Sequence, residues 1–232
     1  MSGLAPPAHP GDLVVRVGDL RRGRRRAVAA GELCLPRGAS VALAGANGAG
    51  KSTLLMAIAG VLAPGVGRAV AEVAGRPVAR VGYVPQRPAF PAWLPLADVL
   101  RLHDAPPAAL DVLAPLDRDA LLARAAGELS VGQTQALAAA IALHRDDPLV
   151  LLDEPFAGVD VARRLALQSL VAARRRRDPA AVLVLSSHVA ADLDALCDWL
   201  VVLRDGRITF TGPRTSLGAA DTFARELAAL TG

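Results

Sequence analysis

Residues 41–53 constrain this chain more than any other stretch. An apolar tetrapeptide, Val41-Ala42-Leu43-Ala44, runs into Gly45-Ala46-Asn47-Gly48-Ala49-Gly50-Lys51-Ser52-Thr53, the one segment with the pattern G-x-x-x-x-G-K-[ST]. The stretch reads as a strand, a glycine turn and a helix that opens directly on the turn. Its chemistry is that of a phosphate-binding loop. Backbone N–H groups of the turn and of the helix N-terminus point at phosphate oxygens, the lysine reaches the terminal phosphates, and the serine hydroxyl coordinates Mg²⁺. Lys51 is the only lysine in the chain. One lysine kept in an arginine-rich sequence marks a position that needs a compact ammonium on a flexible stem, which a wide planar guanidinium does not replace.

The 232 residues are enough for one sizeable core, or for a main lobe with a small subdomain. Hydrophobic residues make up 53% of the chain and mean hydropathy is +0.36. No apolar run approaches the ~20 residues that cross a bilayer. The most apolar ones, residues 149–152, 182–185 and 200–203, have the length of buried parallel strands. Residues 1–10 carry neither a basic nor an apolar signal-peptide region and are expected to be a flexible N-terminus. Cys34 and Cys197 sit in apolar contexts and are expected as reduced core thiols of a cytosolic protein. The net charge of +4 comes from arginine blocks at residues 21–26 and 174–177. No aromatic residues interleave with either block as a stacking platform would require, so both read as solvated faces and nucleic acid is not expected as a partner.

Residues 13–17 and 32–35 read as short strands of an antiparallel edge, 41–44 as a buried strand and 51–60 as a helix. Residues 69–73 and 81–84 return to strand. Residues 96 to about 143 are Ala/Leu-rich with helical periodicity, broken at Pro106-Pro107 and Pro115. Strand at 149–152, helix at 161–177, strand at 182–186 and helix at 189–197 follow. A hairpin turns around Asp205-Gly206, and an amphipathic helix covers 217–230. Alternating strands and helices predict an α/β fold with a mainly parallel core sheet, an antiparallel β edge and a helical lobe inserted at about 96–145, all within one domain of residues 1–232.

Leu149-Val150-Leu151-Leu152-Asp153-Glu154-Pro155 is an apolar strand ending in two carboxylates. The carboxyl end of a parallel strand is where a ligand crevice opens. Asp153 is placed there to hold Mg²⁺ in register with Ser52, and Glu154, one residue beyond the pleat, to polarise a water near a γ-phosphate. Leu129-Ser130-Val131-Gly132-Gln133 precedes an apolar helix, so Ser130 and the following amides form an N-terminal anion site. Ser186-Ser187-His188 follows another strand at a carboxyl end.

Taken together, these segments resemble the ATP-binding cassette (ABC) ATPases, the nucleotide-binding subunits of ABC transporters. The resemblance spans residues 13 to 213, with the motifs in the family's order. They are the Walker A loop at 45–53, the Q-loop Val84-Pro85-Gln86, the signature at 129–133, Walker B at 149–154, the D-loop Ala157-Gly158-Val159-Asp160 and the switch histidine His188. The resemblance implies a P-loop NTPase fold of ABC type, with ATP and Mg²⁺ as cofactors. ATP contacts fall to Gly45, Asn47, Gly48, Gly50, Lys51, Ser52 and Thr53, and the metal to Ser52, Gln86 and Asp153. Glu154 is the general base, with Gln86 and His188 beside it in the catalytic set. Ser130, Gly132, Gln133 and Asp160 act at the interface with a second ATPase subunit, identical or different, in a head-to-tail dimer. Membrane-spanning transporter subunits are the further partners, which puts the chain peripherally on the cytoplasmic face of the cell membrane.

The chain departs from the family pattern in places. The aromatic residue that stacks on adenine has no counterpart in Leu20-Arg21-Arg22-Gly23, where Arg22 is the available stacking group. Val131 stands where the family prefers glycine, and Gln133-Thr134-Gln135-Ala136 lacks the usual arginine. The proline-stiffened segment 87–95 offers Phe90 and Trp93 to a membrane subunit. Ser186-Ser187-His188 with the acidic stretch 192–198 is similar to export-type ATPases, whereas residues 154–160 are similar to metal importers; export is the expected direction. A soluble ABC ATPase acting on nucleic acid or the ribosome, and a nucleotide sensor without turnover, are the readings from other classes.

Overall fold

Strands without polar alternation have to be covered on both faces, and the layering follows from this. The computed structural model describes residues 9, 11–22, 25–63, 65–113, 117–218 and 220–231. The expected flexible N-terminus therefore lies, except for His9, outside the described residues. In chain order the strands are β1 (Leu13–Val17), β2 (Leu20–Arg22), β3 (Arg25–Val28), β4 (Gly31–Leu35), β5 (Ser40–Ala44), β6 (Ala69–Val73), β7 (Arg76–Pro77), β8 (Val81–Val84), β9 (Leu149–Asp153), β10 (Val182–Ser186), β11 (Trp199–Arg204) and β12 (Arg207–Pro213). The helices are α1 (Lys51–Ile58), α2 (Leu96–Leu102), α3 (Arg118–Ala123), α4 (Val131–His144), α5 (Val161–Arg177), α6 (Ala190–Leu196) and α7 (Ala220–Thr231).

The main sheet has six strands in the order β12-β11-β5-β10-β9-β8. Every pairing from β11 to β8 is parallel, and β12 closes the edge antiparallel to β11 around Asp205-Gly206, both in the left-handed region. Successive residues alternate between two apolar clusters. Ala42, Ala44, Val150, Leu152, Leu183 and Leu185 pack with α4 and α5. Val41, Leu43, Leu149, Leu151, Val182 and Val184 pack with α1 and with a second sheet, β4-β1-β6-β7, whose pairings are antiparallel. The period of two along each strand thus fills both faces at once. Between β8 and β9 the chain forms α2, α3 and α4, with 3₁₀ turns at Pro107–Leu113 and Ala126–Glu128. Buried residues of this segment, such as Leu96, Leu110 and Leu121, belong to the same apolar cluster as α4.

The β2–β3 hairpin is not visible in the sequence reading. Its register sets Arg21 opposite Arg26 and Arg22 opposite Arg25, like-charged pairs that oppose pairing. Backbone contacts hold it in place: Arg21 N donates to Val66 O and Ala29 N to Gly206 O, each at 2.7 Å.

The second arginine block is stapled to the body of the protein. Arg174 is fully buried and donates through Nη2 to Asp147 O at 2.8 Å, with Asp178 3.3 Å away. Arg175 pairs with Asp198, and Arg177 caps the end of α4 by donating to the carbonyls of Leu143, His144 and Arg145. Arg174→Ala is expected to lower stability by about 2–3 kcal/mol, because it empties a packed site and leaves Asp147 O without its donor. Arg174→Met, which refills the volume without a buried charge, is expected to recover the packing part of that loss and leave the part due to the unpaired carbonyl. Urea midpoints of the two variants check this.

Candidate functional site

The carboxyl ends of β5, β8, β9 and β10 lie together, as the parallel pairings require. There, a cavity of about 200 Å³ is lined by the glycine loop (Asn47, Gly48, Gly50), the first turn of α1 (Lys51, Ser52, Thr53), Gln86, Asp153, Glu154 and Ala27 of the hairpin. The loop shape demands glycine where a side chain has no room. Gly50 has φ +106, and a Cβ there would lie 2.6 Å from Ala27 O. No side chain caps α1 and no acidic residue sits in its first turn, so its N-terminal N–H groups remain available to an anion. Lys51, 8% exposed, donates through Nζ to Gly45 O at 2.6 Å and to Ala46 O at 3.2 Å, which folds the ammonium over the loop. Ser52, Gln86 and Asp153, each with an oxygen-bearing side chain, line one cavity, a hard-donor set that suits Mg²⁺ beside phosphate oxygens.

Glu154 leaves the strand with φ +51, in the left-handed region. Its Oε2 lies 2.8 Å from Nδ1 of His188 and 3.4 Å from the His188 backbone N–H. The carboxylate is nearly buried while the imidazole side chain is 66% exposed, so the pair joins the cavity to the surface. Around it stand residues that the sequence reading named without giving them a part in the site. Ser186 Oγ donates to Asp153 Oδ1 at 2.6 Å and accepts from Glu154 N at 2.9 Å. Gln135 Nε2 donates to Glu154 O at 3.4 Å. Asp192 lies 3.5 Å from Ser187 Oγ and 3.4 Å from Arg164, and burial holds its carboxyl above the usual range. Burial, with the Asp153 charge adding to it, pushes the Tyr83 phenol up to about 12. A polar residue inside an apolar run was the available signal for Ser186 and Gln135.

Ser130, Gly132, Gln133 and Asp160 do not line this cavity. Ser130 caps α4, accepting from Gln133 N at 3.2 Å while Gln133 Oε1 accepts from Ser130 N at 2.9 Å. Asp160 caps α5, and the Arg163 N–H at 2.9 Å draws its carboxyl below the usual range. Gly132 is fixed by contact, since a Cβ there would lie 2.3 Å from Gly158 O. The signature and the D-loop are thus packed together, outside the lining of the phosphate cavity. A groove of about 700 Å³ runs from Gln86 past Phe90, Leu129 and Val131 to Gly158. Of the two aromatics offered to a partner, Trp93 is 77% exposed, whereas Phe90 packs edge-on against His103 at 5.9 Å. The Arg22 side chain lies outside the described residues.

A strand, a glycine loop and a helix with Lys51 and Ser52, facing two acids at the end of a neighbouring parallel strand, define a P-loop nucleotide triphosphatase. Within that class the chain belongs to the ABC transporter family, whose profile matches residues 29–157, more than half of it. It is an ATP-binding protein and an ATPase of that family. Thiamine import ATP-binding protein ThiQ of Shigella flexneri serotype 5b (strain 8401) is 34% identical over 214 residues, covering 86% of this chain and 92% of the relative. The protein of the same name from Escherichia coli (strain K12) is similar to the same extent. A solved ATP binding subunit of an ABC transporter superposes with a TM-score of 0.75 at 27% identity, over 93% of this chain and 99% of that one. A nucleotide-free ATP-binding cassette from an ABC transporter, 20% identical with a TM-score of 0.70, shares the fold. The export preference finds no support among these relatives, both of which are import proteins by name. The segment 192–198 that suggested it serves local packing instead: Asp192 meets Ser187 and Arg164, Asp194 pairs with Arg214, and Asp198 accepts from Ser40 N.

Proposed function

We propose that this chain is the ATP-hydrolysing subunit of an importer for a small organic solute, with thiamine the first candidate. The observation that carries the direction and the solute is the 34% identity to thiamine import ATP-binding proteins across 92% of their length. The assignment of chemistry rests on the single cavity shared by Lys51, Ser52, Gln86, Asp153 and Glu154. Lys51 and the loop amides bind the β- and γ-phosphates of ATP. Ser52, Gln86 and Asp153 would hold Mg²⁺, which when bound would supply positive charge against that developing on the phosphates. Glu154 accepts the proton of the attacking water at its carboxylate, and His188 fixes that carboxylate through the contact between Nδ1 and Oε2.

Ser130, Gly132, Gln133 and Asp160 act on nucleotide held by a second ATPase subunit, a reading supported by their absence from the lining of their own phosphate cavity. Membrane-spanning permease subunits complete the transporter and hold the chain at the cytoplasmic face of the membrane; among the described residues no helix is long and apolar enough to cross one. The test is uptake by proteoliposomes that contain the chain with its co-purifying membrane subunits. ATP-driven accumulation of thiamine, with hydrolysis stimulated at least about fivefold by transport-competent partners, is the expected result. ATP-driven efflux would overturn the import direction, and uptake of another solute alone would overturn thiamine.

A further inference from the structure

Neighbouring residues on a strand point to opposite faces, so an Asp-Glu pair at a strand end does not by itself serve one site. Here both Asp153 and Glu154 line the same cavity. The backbone turns at Glu154, with φ +51, and this conformation is disfavoured for a residue with a side chain. What holds it lies on the adjacent strand. Ser186 is paired with Asp153 in the parallel register and is fully buried. Its hydroxyl has one proton to give. Because the Glu154 N–H supplies a proton to Oγ at 2.9 Å, the serine's own proton is committed to Asp153 Oδ1 at 2.6 Å.

We infer that Ser186 is a positioning residue for hydrolysis, one that divides the labour of the two adjacent acids. By engaging Oδ1 it fixes the orientation of the Asp153 carboxylate and leaves Oδ2 as the oxygen that would be offered to a cation. By accepting from the Glu154 amide it keeps the left-handed turn that carries the second carboxylate to His188. Ser186 touches neither nucleotide nor metal; it acts through Asp153 and Glu154. Alanine at 186 leaves a buried amide and a buried carboxylate oxygen each short of a partner, whereas threonine keeps the hydroxyl.

The inference rests on the reading of Asp153 as metal holder and Glu154 as base, and the experiment separates the two. Removing an outer partner of a metal ligand typically changes metal affinity or activity by about 10–100-fold. For Ser186→Ala, the Mg²⁺ concentration at half-maximal hydrolysis is expected to rise about tenfold and kcat to fall by at least about tenfold, with KM for ATP moved less than about threefold. Binding of a fluorescent ATP analogue in EDTA should stay as in the unsubstituted protein, while the gain in that binding on adding Mg²⁺ should shrink. Ser186→Thr is expected to restore both. A folded Ser186→Ala whose Mg²⁺ dependence and kcat stay within about threefold overturns the inference, as does an equal loss of binding with and without Mg²⁺. If the alanine variant does not fold, Ser186→Cys, which keeps the shape but donates weakly, carries the same test. Glu154→Gln is the control: if it hydrolyses ATP normally, the site reading itself is wrong. If it is inactive while Ser186→Ala is unaffected, only the role of Ser186 falls.

Discussion

Glu154→Gln is expected to bind ATP and hydrolyse it at least about 10²–10³-fold more slowly than the unsubstituted chain, the range a positioned general base supplies. The substitution keeps the size of the side chain and its reach to His188 Nδ1, now 2.8 Å from Oε2, but removes the atom that accepts a proton. It also keeps the backbone bonds that hold residue 154, from its N–H to Ser186 Oγ and from Gln135 to its carbonyl. The loss should therefore appear in kcat with affinity for ATP preserved. With hydrolysis blocked, ATP is expected to accumulate a stable dimer, since Ser130, Gly132, Gln133 and Asp160 do not line the phosphate cavity of their own subunit. Single-turnover hydrolysis and size-exclusion chromatography in ATP read the two effects. A rate within about threefold of the unsubstituted chain would remove Glu154 from the role of base.

Lys51 carries the second large effect. Charge-assisted hydrogen bonds are worth about 1.5–3 kcal/mol each, so Lys51→Ala is expected to weaken ATP binding by about 10–10²-fold or more. Lys51→Arg is the sharper test. The ammonium sits 2.6 Å from Gly45 O and 3.2 Å from Ala46 O with only 8% of the residue exposed, inside a loop where Gly45 and Gly50 leave no room for a Cβ. A planar guanidinium needs a wider space and a fixed fork. Arginine at 51 is expected to bind ATP nearly as poorly as alanine, measured by equilibrium binding with the melting temperature as a control for folding. Recovery to within about threefold would mean that the site asks for charge alone.

Reading the sequence recovered what rests on local pattern. Apolar runs placed β5, β9 and β10 because both faces of each strand are buried, so no polar alternation blurs them. The predicted helix at 161–177 matches α5 to the residue, since Asp160 caps its start and the arginines lie in its last turn. The phosphate loop and the two acids were visible because their spacing along the chain is itself the chemistry. By contrast, β2 and β3 gave no signal. Their arginines have neither apolar alternation nor favourable cross-strand pairs, and the hairpin exists through backbone bonds to residues 66 and 206. The arginine block at 174–177, read as a solvated face, is so only in part: Arg176 and Arg177 are exposed, but Arg174 is buried, and Arg177 reaches three carbonyls more than thirty positions away in the chain. Periodicity cannot carry such contacts, because they join positions distant in sequence.

By itself the sequence determined the reaction class of this protein, because the stretches that hold Lys51, Ser52, Asp153 and Glu154 are short motifs legible without the fold. The tertiary structure decided how those groups work together. Parallel pairing of β9 with β10 puts Ser186 against Asp153, the left-handed turn at Glu154 brings its carboxylate to His188, and the packing of Gly132 on Gly158 O joins the signature to the D-loop. Each of these depends on strand register or close approach between distant segments, which the sheet fixes and no single stretch of chain encodes.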